Sequence, residues 1–370
     1  MLRCLRFSAL LALALPFSAP ADTLLDTGQI GGAKFAIARP VEWNNDLLLL
    51  LHDYRPESAP LGVDLDPNQA LCRGFLDQGW MVAQTSYRRN GVIIADAMAD
   101  VDALRDYIAK TYGAPERVLL EGESMGGTIV ILMAERDDRY DGAVVIDPTL
   151  DTRDPGQVVG LSLRPRIPLI FLANQTELNG PRRYVMANIR GATDPAPVLF
   201  MIARDGHNNI SQRERLAALR MLIGWLDHGP SSLPRPPANS EFFDATLPPA
   251  PQPSQVTFLP DGRGFSARVI EADPFTGNLV VNAQPEDFTR AGLGKNSFFQ
   301  FVARDQSFRV RYSRDFTAVK RGAWLGFPNA DGFFLIARNL ASAAATANLA
   351  AGDDVTIRRY DDAAAPREEP

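Results

Sequence analysis

The chain is short of cysteine, histidine and lysine. Two cysteines in 370 residues, Cys4 and Cys72, exclude a disulfide framework and a cysteine-based zinc site. Three histidines, His52, His207 and His228, leave few candidates for any reaction that needs an imidazole. Basic residues number 38 against 44 acidic ones, for a formal net charge of −6. So acidic a chain lacks the electrostatic footprint of a nucleic-acid binder. Only four of the basic residues are lysine, which we read as genome composition. No apolar run reaches the roughly 20 residues of a bilayer span. What is present is an ordinary globular balance, 46% hydrophobic and 22% charged, in a length that accommodates two domains.

The first 21 residues read as a targeting segment. Arg3 and Arg6 form a charged start, Phe7 to Phe17 is a short apolar stretch, and Ala19-Pro20-Ala21 is an A-x-A cleavage site before Asp22. The expectation is a periplasmic or secreted protein, free of the membrane once cleaved. Removing residues 1–21 takes the net charge from −6 to −8 and leaves Cys72 as the single cysteine. Cys72 sits in a helical pattern over 67–78 with Leu71, Phe75 and Leu76, and reads as a buried small apolar residue.

Eight prolines fall in residues 230–253 and no hydrophobic period survives there. This is the composition of an extended linker, expected over 230–257. Before it, over 22–229, strand-length apolar runs alternate with helical patterns. The runs are Leu47–Leu51, Trp80–Tyr87, Val118–Leu120, Ala143–Ile146, Leu169–Ala173 and Val198–Ala203. Val101, Leu104 and Ile108 mark one amphipathic helix, and Ser211 to Glu214 is a capping box that opens another. The fold class expected is α/β, a mostly parallel sheet with helices on both faces. After the linker the period becomes two: Phe308, Val310 and Tyr312 alternate with Arg309, Arg311 and Ser313. A small β-barrel-like domain is expected over 258–360, and a disordered tail over 361–370.

Gly122-Glu123-Ser124-Met125-Gly126-Gly127 matches the G-x-S-x-G nucleophile elbow. It follows an apolar strand and precedes Thr128 to Ala134, apolar all round like a buried helix. Such a turn lifts a serine hydroxyl above the sheet's C-terminal edge. A serine nucleophile needs a base, and His207, in a polar loop after the strand ending at Ala203, leaves the same edge. The third member is an acid that orients the imidazole. Glu177 leaves that edge after the strand Leu169–Ala173, and the chain order Ser124, Glu177, His207 is the order of this class. Asp147 is the competing acid, with Asp194 and Asp205 as further alternatives. Arg88 and Arg89 follow a strand on the active edge and read as a substrate-anion site or a solvated pair.

On the elbow, the Gly206-His207 loop and the triad order, residues 33–228 resemble an α/β-hydrolase. The resemblance implies a serine hydrolase, an ester hydrolase before a peptidase, acting through an acyl-enzyme with no cofactor and no metal. Its substrate would be a small or polymeric ester. It also implies an oxyanion hole from the backbone N–H groups of Tyr54 and Met125. The family's H-G-x loop stands here as His52-Asp53-Tyr54, an aspartate in place of glycine. His52 itself reads as a brace for that loop. Only about 20 residues, Pro148 to Ile167, stand where family members often insert a cap, so an open pocket is expected.

A second resemblance lies at Asp273-Pro-Phe-Thr-Gly-Asn278, Ile336 to Ala341 and Gly352-Asp-Asp-Val355. These are similar to the C-terminal barrel of the S-adenosyl-L-methionine hydroxide adenosyltransferase and halogenase family. Phe275, Asn278, Arg338 and Asn339 match its ligand-side positions, but Thr276 interrupts the usual turn and the family's N-terminal domain is absent. The barrel is expected to serve packing, oligomerisation or substrate presentation. A non-catalytic or adenosine-binding protein acting through this barrel is the alternative to the hydrolase.

Overall fold

The continuous apolar runs become the interior of one nine-stranded sheet. The computed structural model describes residues 23–154, 157–158, 160–191, 195–238 and 240–360; the expected leader and tail lie outside them. Strands β1 (Thr23–Ile30) and β2 (Ala33–Pro40) form an antiparallel hairpin at one edge. Then come β3 (Asp46–Leu51), β4 (Met81–Thr85), β5 (Arg117–Glu123), β6 (Gly142–Ile146), β7 (Leu169–Asn174) and β8 (Val198–Ile202). The spatial order is β1-β2-β4-β3-β5-β6-β7-β8, closed off by a two-residue strand β9 (Phe243–Asp244). From β4 onward every pairing is parallel.

Parallel strands need covering on both faces, and the side-chain period of two sorts β3 accordingly. Leu47, Leu49 and Leu51 pack toward helices α2 (Ala95–Tyr112), α3 (Met125–Arg136) and α4 (Asn179–Arg190). Leu48 and Leu50 pack toward α1 (Ala70–Leu76) and α5 (Gln212–His228). The capping box at Ser211 forms in full, its side chain and that of Glu214 each accepting from the other's backbone N–H. Cys72 lies on the buried face of α1, and burial pushes its thiol up to about 12, the behaviour of an inert core residue. No described helix is long and apolar enough to cross a membrane.

The proline-dense stretch departs from a plain spacer. Phe243 sets its ring edge-on to Phe200 at 5.6 Å, and Phe243–Asp244 extend the sheet as β9. Proline bars a chain from interior strands but not from a short edge, so a two-residue strand fits between the prolines.

The C-terminal region closes on itself. Strands β10 (Thr257–Phe258), β11 (Gly264–Ala272), β12 (Leu279–Val281), β13 (Phe298–Ala303), β14 (Gln306–Tyr312), β15 (Trp324–Pro328), β16 (Phe334–Arg338) and β17 (Asp354–Arg359) follow one another in the chain. Seven of them run β11-β12-β16-β15-β14-β13-β17, and β17 pairs back with β11 to shut the barrel, with β10 added outside β11. The short helix α6 (Pro285–Arg290) plugs the interior with Phe288, stacked on Phe334 at 3.8 Å between ring centres. Closure leaves the barrel no interior edge to protect.

Candidate active site

Ser124 stands between the end of β5 and the start of α3 with φ 51° and ψ −112°, a conformation that costs a non-glycine residue about 1–3 kcal/mol. Two glycines make the turn sterically feasible. A Cβ on Gly122 would lie 2.6 Å from the Gly126 carbonyl oxygen, and one on Gly126 would collide with the Leu51 carbonyl. The serine's N–H donates to Ile146 O at 2.9 Å, and Thr128 donates its N–H to Ser124 O at 3.0 Å. The hydroxyl is thereby fixed above the C-terminal edge of the sheet.

His207 approaches from the loop between β8 and α5, its Nε2 2.8 Å from Ser124 Oγ. Its Nδ1 lies 3.4 Å from Glu177 Oε1, just past β7. An imidazole held between a hydroxyl and a carboxylate can take the hydroxyl proton and be stabilised as the cation. Burial alone would lower the His207 pKa, but the Glu177 carboxylate, with the charges of Asp53 and Asp147, outweighs it and holds the imidazole up at about 9.

Asp147 does something else. It is fully buried at the end of β6, and both oxygens are occupied by backbone N–H groups: Asn174 on Oδ1 and Asn208 on Oδ2, each at 2.8 Å. Burial pushes its carboxyl up to about 7, partly offset by His207 and these two N–H donors. The contacts place Asp147 beneath the histidine loop as a brace. Asp194 lies outside the described residues. Asp205 points the other way, to Gln175 at 2.8 Å and to Arg314 of the barrel at 3.1 Å. Burial opposes ionisation there, yet Arg314 and Gln175 hold its carboxyl below the usual range.

Several further bonds hold the loop. Asn174 and Asn209 exchange two hydrogen bonds at 2.9 and 3.0 Å, and Arg204 donates to Asn209 O at 2.8 Å while pairing with Glu214. The barrel supplies the outer side. Asn209 Nδ2 donates to Pro328 O at 2.8 Å, and Lys295 adds a 3.4 Å contact to Asp205. None of these barrel contacts is foreshadowed by local sequence, because they join residues 90 or more positions apart.

The N–H groups of Tyr54 and Met125 meet at one point, and that point is occupied. Asp53 Oδ1 accepts from Tyr54 N–H and, at 3.4 Å, from Met125 N–H. Its Oδ2 accepts from Asn208 Nδ2 at 3.0 Å. Sequence reasoning noted the aspartate as a departure but missed this contact. His52 is buried, its Nδ1 2.6 Å from Asp53 O and its ring 4.1 Å from that of Tyr87. Burial, and next the nearby Arg55 charge, lower it to about 4, so it is neutral and braces the loop. Arg88 wraps Asp100 with bonds of 2.6–3.2 Å, and Arg89 reaches Asp96 at 3.5 Å, so the pair straps its loop to α2.

A cavity of about 240 Å³ opens between the two domains, with Glu123, Arg215, Asp273 and Phe275 in its wall; Ser124 and His207 do not line it. Phe275 carries the Arg55 guanidinium 3.7 Å above its ring. Arg338 bonds Gly322 O at 3.0 Å and Thr346 at 2.6 Å, and Asn339 bonds Val319 O at 2.9 Å.

The strand order, with an antiparallel second strand and the strand–turn–helix elbow, is the α/β-hydrolase arrangement. Residues 267–356 match the SAM hydroxide adenosyltransferase C-terminal domain family, within a closed barrel. No curated protein matches the chain. Among solved structures it is similar to an uncharacterised conserved protein from Thermotoga maritima (22% identity, 37% of this chain and 49% of that one, TM-score 0.27). It is also similar to the acylaminoacyl peptidase of Pyrococcus horikoshii (10% identity, 57% of this chain and 42% of that one, TM-score 0.43). A third is an esterase of Pyrococcus furiosus (14% identity, 49% of this chain and 83% of that one, TM-score 0.38). The chain thus spans less than half the length of the first two.

Proposed function

We propose that this protein is a serine hydrolase of carboxylic esters. The observation that carries the reading is the contact of Ser124 Oγ with His207 Nε2 at 2.8 Å, on a strained elbow, with Glu177 behind the imidazole at 3.4 Å. Ser124 Oγ attacks the acyl carbonyl while His207 Nε2 takes its proton. The imidazolium, stabilised by Glu177, then protonates the leaving alcohol. Water, deprotonated by the same imidazole, attacks the acyl-enzyme and releases the acid with Ser124 restored. The backbone N–H groups of Tyr54 and Met125 receive the oxyanion once Asp53 Oδ1, which accepts from both, is displaced. Ester is preferred to peptide on the analogy of fold alone. The leader over 1–21 supports action in the periplasm or outside the cell, and exported protein should begin at or near Asp22.

A panel of p-nitrophenyl esters of increasing acyl length, run beside aminoacyl-p-nitroanilides, tests the reading. Turnover of at least one ester, abolished in Ser124→Ala, is the expected result. Turnover of anilides alone would make the protein a peptidase, and turnover equal in Ser124→Ala would remove Ser124 from the chemistry.

A further inference from the structure

A carboxylate stands where a hydrolase develops its oxyanion. Asp53 Oδ1 takes the N–H groups of Tyr54 and Met125, the two donors that would otherwise meet the substrate's carbonyl oxygen. The placement has a local cause. Met125 opens α3, and the first N–H groups of a helix attract an anion through their unpaired donors and the helix dipole. Asn208, next to His207 and itself in a left-handed turn (φ 54°), holds the second oxygen at 3.0 Å. The carboxylate therefore bridges the oxyanion donors and the histidine loop. In a glycine-bearing loop nothing would reach this point.

Two consequences follow for a reaction at Ser124. The carbonyl oxygen of an ester cannot accept from N–H groups that are already engaged. A tetrahedral intermediate would also build its negative charge against a fixed one. Only the fraction of molecules with the side chain rotated away binds the transition state, and that fraction scales down the apparent affinity. The same charge helps keep His207 protonated.

We propose that Asp53 is an intramolecular latch that occupies the oxyanion hole and holds the resting enzyme latent, catalysis requiring its side chain to swing out. The proposal rests on Ser124 being the nucleophile. Removing the carboxylate should then activate the enzyme, the opposite of what loss of a structural or catalytic residue does.

The test is the rate of covalent labelling by a fluorophosphonate, measured on the plateau of each protein's own pH profile so that His207 is neutral in all of them, with p-nitrophenyl acetate turnover alongside. The proteins compared are wild type, Asp53→Asn, Asp53→Gly and Ser124→Ala, with thermal unfolding as the check on folding. Asp53→Gly empties the hole and should label at least about tenfold faster than wild type, since single oxyanion donors are worth about 10²–10³ in rate. Asp53→Asn keeps the shape without the charge and should fall between the two. Equal or slower labelling in a folded Asp53→Gly overturns the latch. If that variant does not fold, Asp53→Asn decides alone: faster labelling supports the latch, equal or slower overturns it. Wild-type labelling lost in Ser124→Ala but unmoved at Asp53 would sink the latch and leave the hydrolase standing. Labelling undiminished in Ser124→Ala, or absent from every variant, brings both down.

Discussion

The two domains use their polar side chains in opposite ways. In the N-terminal sheet, Ser124, Glu177 and His207 leave three separate strand ends and converge within hydrogen-bonding reach. In the barrel, three of the four residues expected on a ligand side are engaged with protein instead. Phe275 lies under Arg55, while Arg338 and Asn339 bond neighbouring backbone and a threonine. A sequence match to a domain family therefore locates a fold, whereas the contacts of its side chains show what each residue is engaged with. Here the barrel faces the histidine loop through Arg314, Lys295 and Pro328.

The sharpest way to break this contrast is within the N-terminal site. Ser124→Ala and His207→Ala should each lower ester kcat by roughly 10⁴-fold or more, because the residues act as a unit. Glu177→Gln should cost about 10⁴-fold with the fold intact, since the imidazole loses the partner that sets its tautomer. Asp147→Asn should stay within about tenfold, as a brace and not a partner of the imidazole. Steady-state kinetics on the four variants, with circular dichroism as the control, would reassign the acid if the last two results were exchanged.

The next effect is in pH. In the proposed mechanism His207 acts as a base only when neutral, and its neighbours hold it at about 9. Log kcat/KM should climb with roughly unit slope from neutral pH and flatten above about pH 9. Asp53→Asn removes one of the charges that raise it, so its profile should flatten at lower pH. A wild-type plateau already complete at pH 7 would mean that the imidazole is not held in this way.

Smaller still is the barrel's share. The double variant Arg314→Ala, Lys295→Ala releases Asp205, and should reduce kcat by roughly 2–30-fold while leaving KM for a short ester unchanged. An unaltered kcat would mean that the two cations on Asp205 have no part in turnover. The smallest expected effect is none: calorimetric titration of the protein with adenosine or S-adenosylmethionine should show no heat at micromolar ligand. A micromolar Kd abolished by Asn278→Ala would show that the ligand side is functional after all.

Much of this arrangement is legible in the sequence. Ser124 announces itself by flanking glycines, and His207 and Glu177 by the strands they follow, all local signals. The alternation of long apolar runs also placed the inner strands, because burial on both faces leaves no other composition. The hairpin β1–β2 was not legible, since β1 is an edge with much of its length exposed and carries no clean alternation. Nor was β9, whose two residues cannot carry a period. Asp53 could be flagged as a departure, but the choice of its side chain to turn into the hole rests in part on the Met125 N–H, 72 positions away. The clasp on Asp205 spans 109 positions and leaves no trace in local pattern.

That clasp makes the protein's two halves thermodynamic correspondents. If docking of the barrel favours the catalytic arrangement of the histidine loop by some factor, linkage requires that arrangement to favour docking by the same factor. A covalent adduct at Ser124 that immobilises His207 would therefore be felt as a tighter grip between the domains. Slower amide hydrogen exchange across β15, whose Pro328 carbonyl holds Asn209, would report it. The barrel would then serve as a gauge of what sits on the serine, read at a distance from the bond being broken.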